Sequence, residues 1–246
     1  MTSSITTSLF DIFKIGPGPS SSHTIGPMKA ALAFRQSLEA APADLLSEID
    51  SIDVSLYGSL SATGLGHGTH KAVLGGLLGW TPEGCDADRL LSLFIEEGVE
   101  YEIIIRRQTV PFGINNIHFA GTGVQLRYQN TLFFAAKGGG KDLLTGEYYS
   151  IGGGFIRKKG EKVRRPPKLP YPFSCMTDLR RLVEEEHRPL DEIVLANEEG
   201  LGNRTRREIE EGLDRILDAM LESVKNGLAG DGFLPGPIGL QRKARG

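Results

Sequence analysis

Residues Ile117–Ile156, IHFAGTGVQLRYQNTLFFAAKGGGKDLLTGEYYSIGGGFI, decide the fold. β-Branched and aromatic residues gather in short runs at Ile117–Phe119, Val124–Tyr128, Thr131–Ala136 and Tyr148–Ile156, with turn residues between them. Such runs read as strands joined by turns. Two more strands are expected upstream: Ile52–Tyr57, alternating around Val54 and Leu56, and Tyr101–Arg106, which carries Ile103, Ile104 and Ile105. Helical spacing is found mainly nearer the N-terminus, in the residues after Met28, in Ala72–Leu78 behind an N-cap at Thr69, and in Asp86–Glu97. Strands and helices that segregate along the chain predict an α+β domain over 1–156, built on an antiparallel sheet.

A compact loop precedes the first long helix. Lys14–Met28, KIGPGPSSSHTIGPM, holds three glycines, three prolines, three consecutive serines and a histidine. Met28, Ala31, Leu32, Phe34 and Leu38 then fall at helical steps, interrupted by Arg35. Pro27 suits a first helical turn, and Ser22 or Thr24 can cap it. A tight loop feeding a helix N-terminus brings N–H groups, the helix dipole and hydroxyls to one place, which favours an anion. The loop lacks the Gly-Lys-Ser/Thr of a nucleotide P-loop and the GxGxxG of a dinucleotide site.

Composition excludes several classes. The chain has 246 residues and a net charge of −3, with 39% hydrophobic and 24% charged residues. That is an ordinary balance for a globular protein and gives no electrostatic case for nucleic acid. No apolar run reaches the length of about 18 residues that a membrane span needs, and the first residues lack a signal peptide's basic and apolar regions. Two cysteines, Cys85 and Cys175, imply no disulfide framework, and a reducing cytoplasm fits.

Arg157–Leu169, RKKGEKVRRPPKL, carries seven basic residues and adjacent prolines. It reads as a solvated linker over 157–169; without interleaved aromatics it has nothing on which to stack bases. Residues 170–246 read as an incomplete helical region. Ser174 is a candidate cap, Leu190–Glu199 is a short helix, and Thr205-Arg-Arg-Glu208 is a capping box. The helix it opens has an apolar stripe (Ile209, Leu213, Ile216, Leu217, Met220, Leu221, Val224) that needs a partner surface.

Of the five histidines, His67 stands out. It lies between two glycines in TGLGHGTHK, at the end of a strand-to-helix loop, where a small substrate can approach the ring. An imidazole titrating near neutrality suits a general base. His23, in SSSHT, is the second candidate, as base or orienting group. Ser20, Ser21, Ser22 and Thr24 are the candidate substrate-binding residues, holding a carboxylate at the helix N-terminus. His118 and His187 read as structural or surface residues, and His70 as an exposed helix start beside Lys71.

Five blocks in order carry a family resemblance: SSSHT with GPM after it and DIFKIG before it, YGSLSATGLGHGTHKAVLGGLLG (Tyr57–Gly79), YYSIGGGFI (Tyr148–Ile156), PYPFS (Pro170–Ser174) and LPGPIGLQRKA (Leu234–Ala244). Together they resemble the iron–sulfur-dependent L-serine dehydratases. The resemblance implies that L-serine is converted to pyruvate and ammonia, with His67 as the catalytic base and an open iron of a [4Fe–4S] cluster polarising the departing hydroxyl. It also makes residues 1–156 similar to the allosteric-substrate-binding domain of some phosphoglycerate dehydrogenases. A cubane cluster takes three or four thiolates. Two cysteines ninety positions apart cannot supply them, so the expected cluster ligands are not in this chain. The sequence therefore reads as a truncated product, a fragment, or a subunit whose cluster-bearing C-terminal half or separate alpha subunit is the partner. A homo-oligomer is expected, with no metal ligand in this chain and no nucleic-acid or membrane partner. The competing reading is a non-catalytic small-ligand-binding or regulatory module.

Overall fold

The computed structural model describes residues 4–121, 123, 126–162, 167–202, 204–233 and 241. The chain forms two compact units. One comprises Ile15–Glu161; the other combines Met1–Lys14 with the residues from Lys162 through Phe233.

The first unit is α+β. Its five-stranded sheet runs β4 (Ile117–Phe119), β1 (Ser51–Gly58), β5 (Asn130–Gly138), β6 (Lys141–Gly152), β7 (Phe155–Lys158). All pairings are antiparallel except β1 with β4, which is parallel with Val54 opposite Ile117. A second, two-stranded sheet pairs β2 (Glu100–Ile105) with β3 (Gln108–Gly113). β1 shows why the sheet buries one face: Ile52, Val54 and Leu56 are fully buried while the alternate residues are not, the period of two expected of a strand.

Helices α2 (Gly26–Glu39) and α5 (Thr69–Leu77) cross closely in this unit. The short helices α3 (Ala43–Ser47), α4 (Ser59–Thr63) and α6 (Ala87–Ser92) fill the connections. Phe34 of α2 stacks on Phe134 of β5 at 5.0 Å, and Phe134 meets Tyr148 of β6 edge-on at 5.7 Å. Gly76 permits the α2–α5 crossing: a Cβ there would lie 2.2 Å from the Met28 carbonyl oxygen. Arg35, which breaks the apolar stripe of α2, donates at 2.7 Å to the carbonyls of Leu77 and Ile104. It ties α2 to the end of α5 and to β2.

Several elements differ from the sequence reading. β6 begins at Lys141 rather than Tyr148, because pairing with β5 extends it through a stretch that lacks strand alternation. Tyr148–Ile156 is the end of β6, a glycine turn and β7; Gly152, Gly153 and Gly154 all have positive φ. β7 continues through Lys158 into the expected linker. β3 contains Pro111, which a two-stranded sheet tolerates. Asp86 caps a helix that ends at Ser92, and Phe94 turns away with φ 55°. The strand expected over 124–128 falls partly outside the described residues, and Leu126–Tyr128 is irregular.

The helical unit contains α1 (Leu9–Ile12), α7 (Met176–Glu186), α8 (Leu190–Gly202) and α9 (Arg206–Ala229). Buried Glu198 of α8 accepts from Ser8 Oγ at 2.5 Å, the Leu9 amide at 2.9 Å and Arg204 at 3.3 Å. The residues before Ile15 thereby belong with the C-terminal helices rather than with the sheet. Thr205 and Glu208 form the expected capping box of α9. Leu217, Met220, Leu221 and Val224 on its stripe are exposed. Cys175, not Ser174, is the N-cap of α7; Ser174 instead donates to Asp178. Among the described residues no helix is long and apolar enough to cross a membrane.

Candidate active site

Two loops of the first unit meet at the N-termini of its crossing helices. The first is a π-helical turn, Ser21–Ile25, running into α2. The cap of this turn is Ser20, whose hydroxyl accepts from the His23 amide at 3.2 Å; α2 itself starts after Ile25 with no side-chain cap, rather than behind Ser22 or Thr24. The Ser22 hydroxyl lies 2.9 Å from His23 Nδ1, and the Ser59 hydroxyl 2.9 Å from His23 Nε2. Both ring nitrogens of His23 are therefore engaged. Ser150 of β6 donates to the Ser22 carbonyl at 2.7 Å, and it lies so close to Gly26 that a Cβ there would come within 2.2 Å of its Oγ.

The second loop joins α4 to α5. Gly58, at φ 60°, turns the chain out of β1; a Cβ at that residue would lie 2.0 Å from the Gln129 carbonyl oxygen. Gly68 is left-handed and is the N-cap of α5, with Thr69 inside the helix. Crossed hydrogen bonds join the loops: Thr24 Oγ1 donates to the His67 carbonyl at 3.0 Å, and Thr69 Oγ1 to the His23 carbonyl at 2.6 Å. They hold the His23 and His67 rings 4.9 Å apart.

His67 differs chemically from His23. Its Nδ1 lies 2.9 Å from the Thr63 carbonyl. A carbonyl can only accept, so Nδ1 carries the hydrogen, and in the neutral ring Nε2 keeps a lone pair. Burial holds the His23 pKa below its ordinary value, and repulsion from His67 adds to this; a hydrogen bond to the Ser59 backbone acts in the opposite sense.

A cavity of about 300 Å³ lies beside His67. Gly18, Pro19 and Thr24 contribute from the first loop; His67, His70 and Lys71 from the second loop and α5. His70 is not exposed as its sequence position suggested. It is 7% exposed and its ring lies 5.8 Å from that of Phe94. Burial, with Lys71 second, pushes its pKa down to about 4, so it is neutral at physiological pH. His187 is exposed, and so is His118, although it lies in β4.

The candidates are thus brought together, but the hydroxyls of Ser20, Ser22 and Thr24 are already bonded within the protein, and only Ser21 of the four is exposed. Ser59, Thr63 and Ser150 escaped sequence reasoning, and Thr69 was read only as a helix cap; the roles of Ser59, Thr69 and Ser150 depend on contacts between segments that no local pattern encodes. The donors for an iron–sulfur cluster do not fit. Cys85 is half-buried in one unit and Cys175 is exposed in the other, and no group of three or more His, Cys, Asp or Glu among the described residues could hold a metal ion.

Comparison with known proteins adds a family. The family described as serine dehydratase beta chain matches residues 8–161. The chain is similar to L-serine dehydratase 2 of Escherichia coli K12, with 35% identity over 243 residues, covering 96% of this chain and 52% of that protein. It is also similar to the L-serine dehydratases of Streptomyces coelicolor, at 36% over 259 residues (96% and 53%), and Mycobacterium tuberculosis, at 35% over 248 residues (98% and 52%). The chain spans about half the length of the curated relatives it matches.

Proposed function

Because the chain belongs to the serine dehydratase beta-chain family, we propose that it takes part in the conversion of L-serine to pyruvate and ammonia, with His67 as the base. The observation that carries this reading is the hydrogen bond from His67 Nδ1 to the Thr63 carbonyl. It fixes the tautomer and leaves Nε2, which has no partner among the described residues, as the proton acceptor at the cavity. His23, with both nitrogens engaged, serves as the orienting neighbour.

The Cα proton of serine passes to His67 Nε2 and the β-hydroxyl departs. The resulting aminoacrylate tautomerises to the imine, which water hydrolyses to pyruvate and ammonia. Hydroxide is a poor leaving group, and the described residues build no electrophile to take it. The resemblance gives that role to a [4Fe–4S] cluster, and its ligands belong to a partner segment or alpha subunit. The same reading puts the protein in the cytoplasm as part of a homo-oligomer. Ser20 and Ser22 then serve mainly to hold His23, their hydroxyls being spent on that task.

The test is an anaerobic preparation that produces pyruvate from L-serine. His67→Ala should lower kcat by about 10²–10⁴-fold and leave iron–sulfur absorbance unchanged. Undiminished turnover would transfer the base role to His23. Pyruvate formation in a rigorously iron-free sample would overturn the role given to the cluster.

A further inference from the structure

The cavity beside His67 has a wall that the proton transfer does not use. Of its lining residues, only Lys71 carries a full positive charge, and none is acidic. Lys71 Nζ donates to the Leu91 carbonyl. An ammonium has three N–H donors, so others remain for a ligand. Burial lowers the Lys71 pKa, and among the described residues no carboxylate offsets it. His70, in the same wall, is more than nine-tenths buried, and among the described residues its Nδ1 has no hydrogen-bond partner. A buried polar atom without a partner is costly; His70 Nδ1 is closed to solvent, and a turn of the ring towards the cavity that His70 lines would let a ligand group relieve that cost. His70 and Lys71 also occupy the first turn of α5, where the helix dipole favours negative charge. The three serines of the SSSHT turn do not line this cavity.

We propose that His70 and Lys71 form the carboxylate-binding site of the cavity, holding the carboxylate of a small amino or oxo acid with its α-carbon towards His67. Lys71 supplies the charge, and His70 a neutral hydrogen-bond donor. This assignment rests on the reading of His67 as the base, and it moves the carboxylate from Ser20–Thr24 to the α5 side.

The probe is pyruvate, titrated into the full chain at constant ionic strength and followed by the ¹⁵N signals of the histidine rings and the backbone amides. Pyruvate should shift His70 and Lys71 in a saturable way. Lys71→Met should weaken binding about 10-fold, the size of a lost charge-assisted hydrogen bond, and Lys71→Arg should retain most of it. His70→Leu should weaken binding several-fold more than His70→Asn, which keeps a donor. Shifts confined to Ser20–Thr24, equal binding by Lys71→Met, or no saturable binding would overturn the site. The two readings fail separately. Pyruvate binding at Lys71 in a protein that never makes pyruvate from serine keeps the site and overturns the reaction. Serine turnover with an unchanged KM in Lys71→Met does the reverse.

Discussion

The rings of His23 and His67 lie 4.9 Å apart and tilted by 42°, so a proton on one discourages a proton on the other. Burial is the larger cause of the lowered His23 pKa, and His67 the second. Replacing His67 with alanine should therefore raise the His23 pKa while leaving it below its ordinary value. A pH titration of the His23 ring signals measures this; an unaltered midpoint would mean that the rings are not coupled.

The Gly26–Ser150 contact gives a second expectation. Gly26→Ala drives a methyl group into Ser150 Oγ and Cβ, which would lie 2.2 and 2.9 Å away. Overpacking of this kind costs about 1–3 kcal/mol. It also disturbs the bond from Ser150 to the Ser22 carbonyl, so serine turnover should fall with stability. Gly26→Ala combined with Ser150→Gly should recover part of the urea midpoint. A double variant no more stable than Gly26→Ala would place the damage elsewhere.

His70 sets an acid limit. Its folded pKa is lowered to about 4 by burial first and Lys71 second, whereas an unfolded histidine titrates near 6.5. Between those values the unfolded chain binds the extra proton. The stability contribution is thus complete above about pH 6.5, declines as the pH falls, and levels off below about 4. The loss is on the order of 3 kcal/mol. His70→Leu should flatten this part of a plot of unfolding free energy against pH, and an unchanged slope would contradict the assignment.

In the helical unit, Glu198→Ala should strand the Ser8 hydroxyl and the Leu9 amide, both of which donate to it. Each buried donor left unmet costs about 1–3 kcal/mol. Glu198→Gln, which keeps one acceptor oxygen, should lose less. Faster amide exchange at Leu9 and Phe10 would locate the effect, and wild-type exchange in Glu198→Ala would refute it.

Much of this architecture was legible in the sequence because its signals are local. Alternation marked β1, the β-branched run marked β2, and Thr205 with Glu208 marked the start of α9. The first half of β6 was not legible: Lys141–Gly146 places two leucines side by side without alternation and ends in glycine, and it is a strand because β5 pairs with it. Pro111 hid β3. In the site, His67 was visible from its flanking glycines and His23 from its loop. The crossed bonds made by Thr24 and Thr69 join residues 43 and 46 positions apart, and no local pattern records them. The burial of His70 was hidden for the same reason, since Phe94, whose ring lies beside it, is 24 positions further on.

The Arg35 guanidinium has a consequence for how this protein can change. It fastens α2 to the last turn of α5, and those helices begin at the two histidine-bearing loops. The separation of the two imidazoles is therefore inherited from a braced helix pair rather than from the loops alone. Insertions at the Gly139–Gly140 hairpin tip should leave the chemistry intact, whereas a cavity or a bulkier side chain along the helix seam retunes the proton acceptor from a distance.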